Sequence, residues 1–322
     1  MMNDAPVPDP TRDLVVVLTA LGLEYTAVRA HLTGLRTLSQ DGTLFEIGTL
    51  RGTGQRVALA ETGPGNRPAA VLTERARNRL APQAVLFVGV AGALKADMAV
   101  GDVVVATKVY AYEGAKHTPQ GPVVRPASWA ASPRLLHTAQ HVLREGNWTS
   151  RIHRDIRHGL GWQHPQVHFK PIASGESVLD SASGELRGRL EQTYSDATAI
   201  EMESAGMAEA AHLGGIEALT IRGISDRADG RKAVADRHGA QPVAAAHAAA
   251  LAMVTIAALG VGVTEQRGER AVPAHEGSPS ESSGRAVQLN TATYSATINA
   301  VQHGSFHMNA SPHDSGHGGA AR

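Results

Sequence analysis

Glu203 and Asp226 are the side chains best placed for chemistry. They lie in Glu201-Met202-Glu203 and Ile221-Arg222-Gly223-Ile224-Ser225-Asp226, each led in by an apolar run, Ala197 to Ile200 and Ala218 to Ile221. Between them Ala205 to Leu213 reads as an Ala/Met-rich helix. A strand–helix–strand unit puts the two strand ends side by side, where open α/β sheets bind ligands. Two carboxylates there suit binding of a ribose diol and delivery of a proton. The same spacing also fits acids that cap the following helices, and both readings stand at this point. Glu24 follows the apolar run Leu14 to Ala20, at the opening of the next helix. It could orient or deprotonate a water, or simply complement the helix dipole.

Two Gly-containing segments follow strands, Thr62-Gly63-Pro64-Gly65-Asn66 and Gly89-Val90-Ala91-Gly92. Such loops let backbone N–H groups approach a polar ligand. Neither continues as a P-loop or a dinucleotide fingerprint. Of the 16 histidines, His137 and His141 could share a helix face, but no flanking carboxylate set accompanies them and no metal is expected. Arg151 to His158 reads as a solvated surface.

These residues need a sheet to position them. Leu14 to Ala20, Ala84 to Val90 and Asp102 to Tyr110 read as central strands, and His168 to Ser174 as another. Helices are expected from about Leu23 to Leu38, Pro68 to Leu80 and Arg134 to Glu145. A hairpin is expected from Leu44 to Leu50 and Gln55 to Glu61, turning at Arg51 to Gly54. Tyr112 to Pro133 reads as irregular. Strands alternating with helices indicate an α/β sheet.

Composition narrows the partners. Thirty basic residues balance thirty acidic ones, so no global field favours nucleic acid or an anionic membrane. The absence of cysteine excludes disulfides and thiol chemistry. Val243 to Val263 is apolar over about a membrane span, but it is mostly alanine and contains His247 and Thr255, so a helix packed on a sheet is expected. Met1 to Pro10 is polar and Pro-rich, unlike a signal peptide, and a cytoplasmic address is expected. From Thr264 to Gly284 the chain reads as a linker. Gln288 to Met308 has a period-two hint of one or two short strands.

The chain from about Arg12 to Gly262 resembles the purine nucleoside phosphorylase / uridine phosphorylase superfamily, and within it the methylthioadenosine/S-adenosylhomocysteine nucleosidases. The resemblance rests on TALGLE (19–24), ETGPGNRPAA (61–70), GVAGALKADMAVGDVVVATKVY (89–110), ASGE (173–176), AIEMES (199–204) and IRGISD (221–226), in that order. It implies a three-layer αβα sandwich with a mixed central sheet over 12–262; from its composition the remainder, 263–322, is expected to be a largely disordered tail. It implies hydrolysis of the N-glycosidic bond of an adenosine-type nucleoside, without a cofactor. Glu24 matches the residue that positions the attacking water, and Arg222 one that helps hold it. Met202 and Glu203 match the pair at the ribose hydroxyls. Ser225 and Asp226 match the pair that recognises the purine, with Asp226 serving N7. Gly63, Ala91 and Gly92 match positions lining the nucleophile pocket, and Tyr110, Tyr112 and Glu113 lie where relatives shape the 5′ pocket.

Two departures matter. Phosphorylases of this superfamily usually carry Ser or Thr at the position of Val90, where the hydroxyl binds phosphate; valine cannot, which favours water as nucleophile. Val178 stands where an aromatic ring often stacks on the base. The alternatives are a phosphate-dependent phosphorylase, or a nucleoside-sensing or effector module of a signalling or defence system. The resemblance also implies a homodimer or higher oligomer. The tail from Thr264 could add strands to a protein partner.

Overall fold

The computed structural model describes residues 13–119, 121–152, 156 and 165–268, all within one compact unit. The expectations for the tail beyond 268, the strands at 288–308 included, lie outside these residues.

Leu14–Thr19 forms β1, and all six of its residues are buried. Alternation explains this. Val15 and Val17 pack on one side of the sheet with Val103, Val105, Ile221 and the helix residues Ala248 to Met253. Leu14, Val16 and Leu18 pack on the other side with Ala69, Ala76 and Met207. A strand covered on both faces needs apolar residues throughout.

The chain continues through α1 (Gly22–Arg29), β2 (Leu32–Gln40), β3 (Thr43–Leu50), β4 (Arg56–Glu61), α2 (Asn66–Leu80), β5 (Ala84–Ala93) and β6 (Val103–Ala111). Three short strands follow, β7 (Ala115–Thr118), β8 (Gly121–Val124) and β9 (Ala127–Ala130), then α3 (Pro133–Arg144) and a 3-10 turn at Trp148–Arg151. The remainder comprises β10 (Val167–Ser174), α4 (Glu185–Thr193), β11 (Ala199–Glu201), α5 (Ser204–Gly214), β12 (Glu217–Asp226), α6 (Lys232–Arg237) and α7 (Ala240–Gly268).

The sheet runs β11-β10-β6-β12-β5-β1-β4-β3-β2, with β9 added on β6. It is mixed: β1, β4, β5 and β12 are parallel neighbours, whereas β12 meets β6 antiparallel. Helix α7 packs with α1 and α3 on one face, and α2 packs with α5 in the other layer. This is the αβα sandwich with a mixed sheet. Its segment Ala240–Gly260 is long and apolar enough to cross a membrane, yet 67% of its most apolar window is buried within the protein.

Four expectations need correction. The helix expected to reach Leu38 ends at Arg29, and Leu32–Gln40 is an edge strand paired antiparallel with β3. The register shift between Thr33 and Arg36 breaks the period of two, so Leu32, Leu35 and Leu38 mimic helical spacing. Gly89 to Gly92 is not a loop but the end of β5. The stretch after Tyr112 holds β7, β8 and β9, each too short to carry a periodic signal. Finally, β11 and β12 are not direct neighbours. The end of β5 runs between them, with Gly92 opposite both Ile200 and Asp226.

Candidate active site

The four charged residues singled out from the sequence converge at the end of β5. Glu24, Val90, Ala91, Gly92, Met202 and Glu203 line a cavity of about 170 Å³, together with Ser225, Asp226 and Val178. Val178 is 63% exposed and sits at the mouth. Arg222 does not line the cavity; it is fully buried behind it.

Glu24 closes the start of its helix and also reaches across to the neighbouring strand. From the first turn of α1 its Oε2 accepts the N–H groups of Ala20 at 2.8 Å and Leu21 at 3.0 Å, closing the start of the helix. Its Oε1 crosses to β5 and accepts Val90 N–H at 2.8 Å. Burial pushes the Glu24 carboxyl above its ordinary range, against the pull of Arg222 and of these backbone N–H groups.

Glu203 is the N-cap of α5, yet its side chain does not cap that helix. Oε1 instead accepts Gly65 N–H at 3.1 Å, and Oε2 accepts Arg222 Nη2 at 3.0 Å. Gly65 can present its N–H there because it holds φ +105°, a region that favours glycine. Burial raises the Glu203 carboxyl to about 7; Arg222 and Gly65 oppose this, while Glu201 and Glu24 add to it.

The Arg222 guanidinium is held from several sides. Nη2 donates to Glu201, Glu203 and Ser204 Oγ, Nη1 reaches the Val90 carbonyl at 3.4 Å, and the group stacks 4.6 Å from the Phe87 ring centroid. Burial works against the cation, but the surrounding carboxylates prevail and raise its pKa. Gly89 makes the approach possible: a Cβ there would lie 2.4 Å from Arg222 Nη1 and 2.5 Å from Glu24 Oε1.

Asp226 caps no helix, since α6 begins only at Lys232. Its Oδ1 accepts Ala228 N–H at 2.9 Å, and its Oδ2 accepts Ser225 Oγ at 2.9 Å. Lys232 Nζ lies 3.4 Å from Oδ2.

Gly63 turns the chain at φ +73°, and its neighbour Pro64 contacts the cavity. Tyr112 is buried away from it, donating to the Ser177 carbonyl at 3.1 Å, while Glu113 accepts Glu176 N–H and Ser177 Oγ. Both support the loop that carries Val178. Sequence reasoning passed over Glu201, Lys232 and Gln241, and named Gly65 only within its Gly-containing segment. Glu201 carried a signal, being a second acid at the end of an apolar run. Lys232 and Gln241 had none. Among the described residues no group of three or more His, Asp or Glu side chains is arranged to hold a metal ion.

Comparison with known proteins identifies the family and the fold. Residues 14–258 match the family described as the phosphorylase superfamily. A 5′-methylthioadenosine/S-adenosylhomocysteine nucleosidase of Staphylococcus epidermidis is 25% identical over 224 residues, covering 68% of this chain and 88% of that protein. The Staphylococcus aureus enzyme of the same name is 26% identical over 226 residues, 67% and 88% of the two chains. The crystal structure of the Neisseria meningitidis nucleosidase with methylthio-immucillin-A superposes with a TM-score of 0.62 at 25% identity, covering 76% and 98%. Futalosine hydrolase of Helicobacter pylori shares the fold with a TM-score of 0.62 at 21% identity, covering 76% and 97%.

Proposed function

The chain belongs to the phosphorylase superfamily and is an enzyme of the nucleosidase kind, and from that premise we propose that it hydrolyses the N-glycosidic bond of an adenosine-type nucleoside of the methylthioadenosine or S-adenosylhomocysteine class. The observation that carries this reading is the meeting of Glu24, Glu203 and Asp226 on one cavity with the Arg222 charge buried behind them.

Breaking the bond between C1′ and N9 develops positive charge on the sugar and negative charge on the leaving purine. Asp226, braced by Ser225, delivers a proton to N7, and the bonding pair leaves with the base. Glu203 accepts from the ribose hydroxyls, and its negative charge supports the cationic sugar. Met202 packs beneath the ring. The water oxygen bonds to C1′ while its proton passes to Glu24, whose raised basicity suits it to accept one. Arg222 keeps Glu203 and the end of β5 in place. Water is the preferred nucleophile because Val90 offers no hydroxyl and its N–H is already taken by Glu24. A cytoplasmic address and a homo-oligomeric state go with this reading.

The test is incubation of the pure protein with methylthioadenosine, S-adenosylhomocysteine and adenosine, with and without phosphate. Free base should appear at the same rate in both conditions, and Asp226→Asn should slow release about 100- to 10,000-fold with the fold intact. No base from any nucleoside, or ribose-1-phosphate formed only with phosphate, would refute the reading.

A further inference from the structure

Glu201 has no role in the reaction as drawn, yet it is buried at the centre of the charged network. Four donors converge on it: Arg222 Nη2, Ser204 N–H at 3.0 Å, Ser204 Oγ at 2.8 Å and Glu203 N–H at 3.2 Å. All four end on Oε2, which is thereby saturated, while Oε1 takes Ser204 N–H at 3.2 Å. Glu203, with one donor on each oxygen, retains sites for a ligand. Both acids border the cavity, but Glu201 is tied to the protein through Oε2, whereas Glu203 keeps accepting capacity on both oxygens.

We propose that Glu201 is a positioning residue, which locks Arg222 and the turn carrying Glu203 in register and supplies a like charge beside Glu203. The inference rests on the nucleosidase reading of the site. Its geometric basis is a relay across two strands. Glu201 ends β11, fixes the first N–H of α5 through Ser204, and grips the guanidinium that rises from β12. Electrostatically, three carboxylates (Glu24, Glu201, Glu203) share the buried Arg222 cation, while Asp226 and Lys232 line the same cavity. Removing the Glu201 charge leaves more of the Arg222 attraction for Glu203 and takes away a neighbour that disfavours its ionised form. Both effects have the same sign.

The experiment is the pH profile of kcat/KM for base release by the full chain between about pH 5 and 9, in wild type, Glu201→Gln and Glu201→Asp. In Glu201→Gln the acidic limb should move down by about one pH unit, together with a lower kcat. A rate reduced by the same factor at every pH, with the limb unmoved, would mean a scaffold role only and overturn the proposal. Should Glu201→Gln fail to fold, Glu201→Asp carries the test, since it keeps the charge but withdraws it from Arg222. Its limb should match wild type while kcat falls about tenfold or more; undiminished kcat would overturn the positioning role. Carboxyl-carbon NMR of Glu203 needs no turnover and should show a lower titration midpoint in Glu201→Gln than in wild type. Absence of base release by wild type would therefore defeat the nucleosidase reading, whereas an unmoved Glu203 midpoint would defeat this one.

Discussion

Glu203 shows how far burial can take a side chain from its behaviour in water. Its carboxyl holds its proton up to about 7, whereas an unfolded chain releases it near the ordinary value of 4.5. A group whose pKa is raised on folding contributes stability that is fully present below the unfolded value and lost as pH rises through the folded one. Glu203→Gln should therefore melt higher than wild type at pH 8, by at least about 2 °C, and lose that advantage by pH 5. Base release should fall at both. Melting curves at the two pH values decide this; a constant difference between them would mean that ionisation of Glu203 costs the fold nothing. Stability given up at such a position is what a site pays to keep a charge ready for its ligand.

Two elements, β12 and α7, meet closely enough to set where Ser225 and Asp226 stand. A Cβ on Gly223 would lie 2.0 Å from the Ala244 carbonyl oxygen, so the helix backbone rests directly on the strand. The glycine of IRGISD thus serves packing rather than the ligand. Gly223→Ala must push α7 away or bend β12, and overpacking of this kind costs about 1–3 kcal/mol. Urea unfolding should show a midpoint lowered accordingly, with base release reduced because Asp226 follows the strand. A wild-type midpoint would mean that the helix has room to retreat. Gly206 repeats the arrangement in the other layer, where a Cβ would come within 1.9 Å of the Asn66 carbonyl oxygen and separate α5 from α2.

For the molecule as a whole, every described side chain of the candidate site lies between Ala20 and Gln241, inside the unit that ends at Ala271. We expect a chain ending at Gly268 to release base at the full-length rate and to melt within about 2 °C of it. Turnover assays and calorimetry on the shortened chain check this. Loss of both solubility and turnover would make residues 269–322 part of the catalytic unit, while loss of a co-purifying partner alone would make them an interaction segment.

Much of this was legible beforehand because the signals are local. LVVVLT must be buried on both faces, since five apolar residues in a row leave no face for water. Glu24, Glu203 and Asp226 could be singled out because acids at the ends of apolar runs are unusual and carry a cost that function can explain. Other features were not local. A shift in strand pairing hid β2 within an apparent helix, and strands of four residues left no period to detect. Whether Glu203 caps its helix or reaches Gly65 and Arg222 depended on groups far away in the chain. The sequence by itself determined the central strands and the acids at their ends, through the burial pattern that water imposes on neighbouring residues. Only the tertiary structure decided that the end of β5 separates the two acidic strands, that Arg222 stands behind the cavity, and that Glu201 holds it there. Those outcomes depend on strand order and long-range charge, which no local pattern encodes.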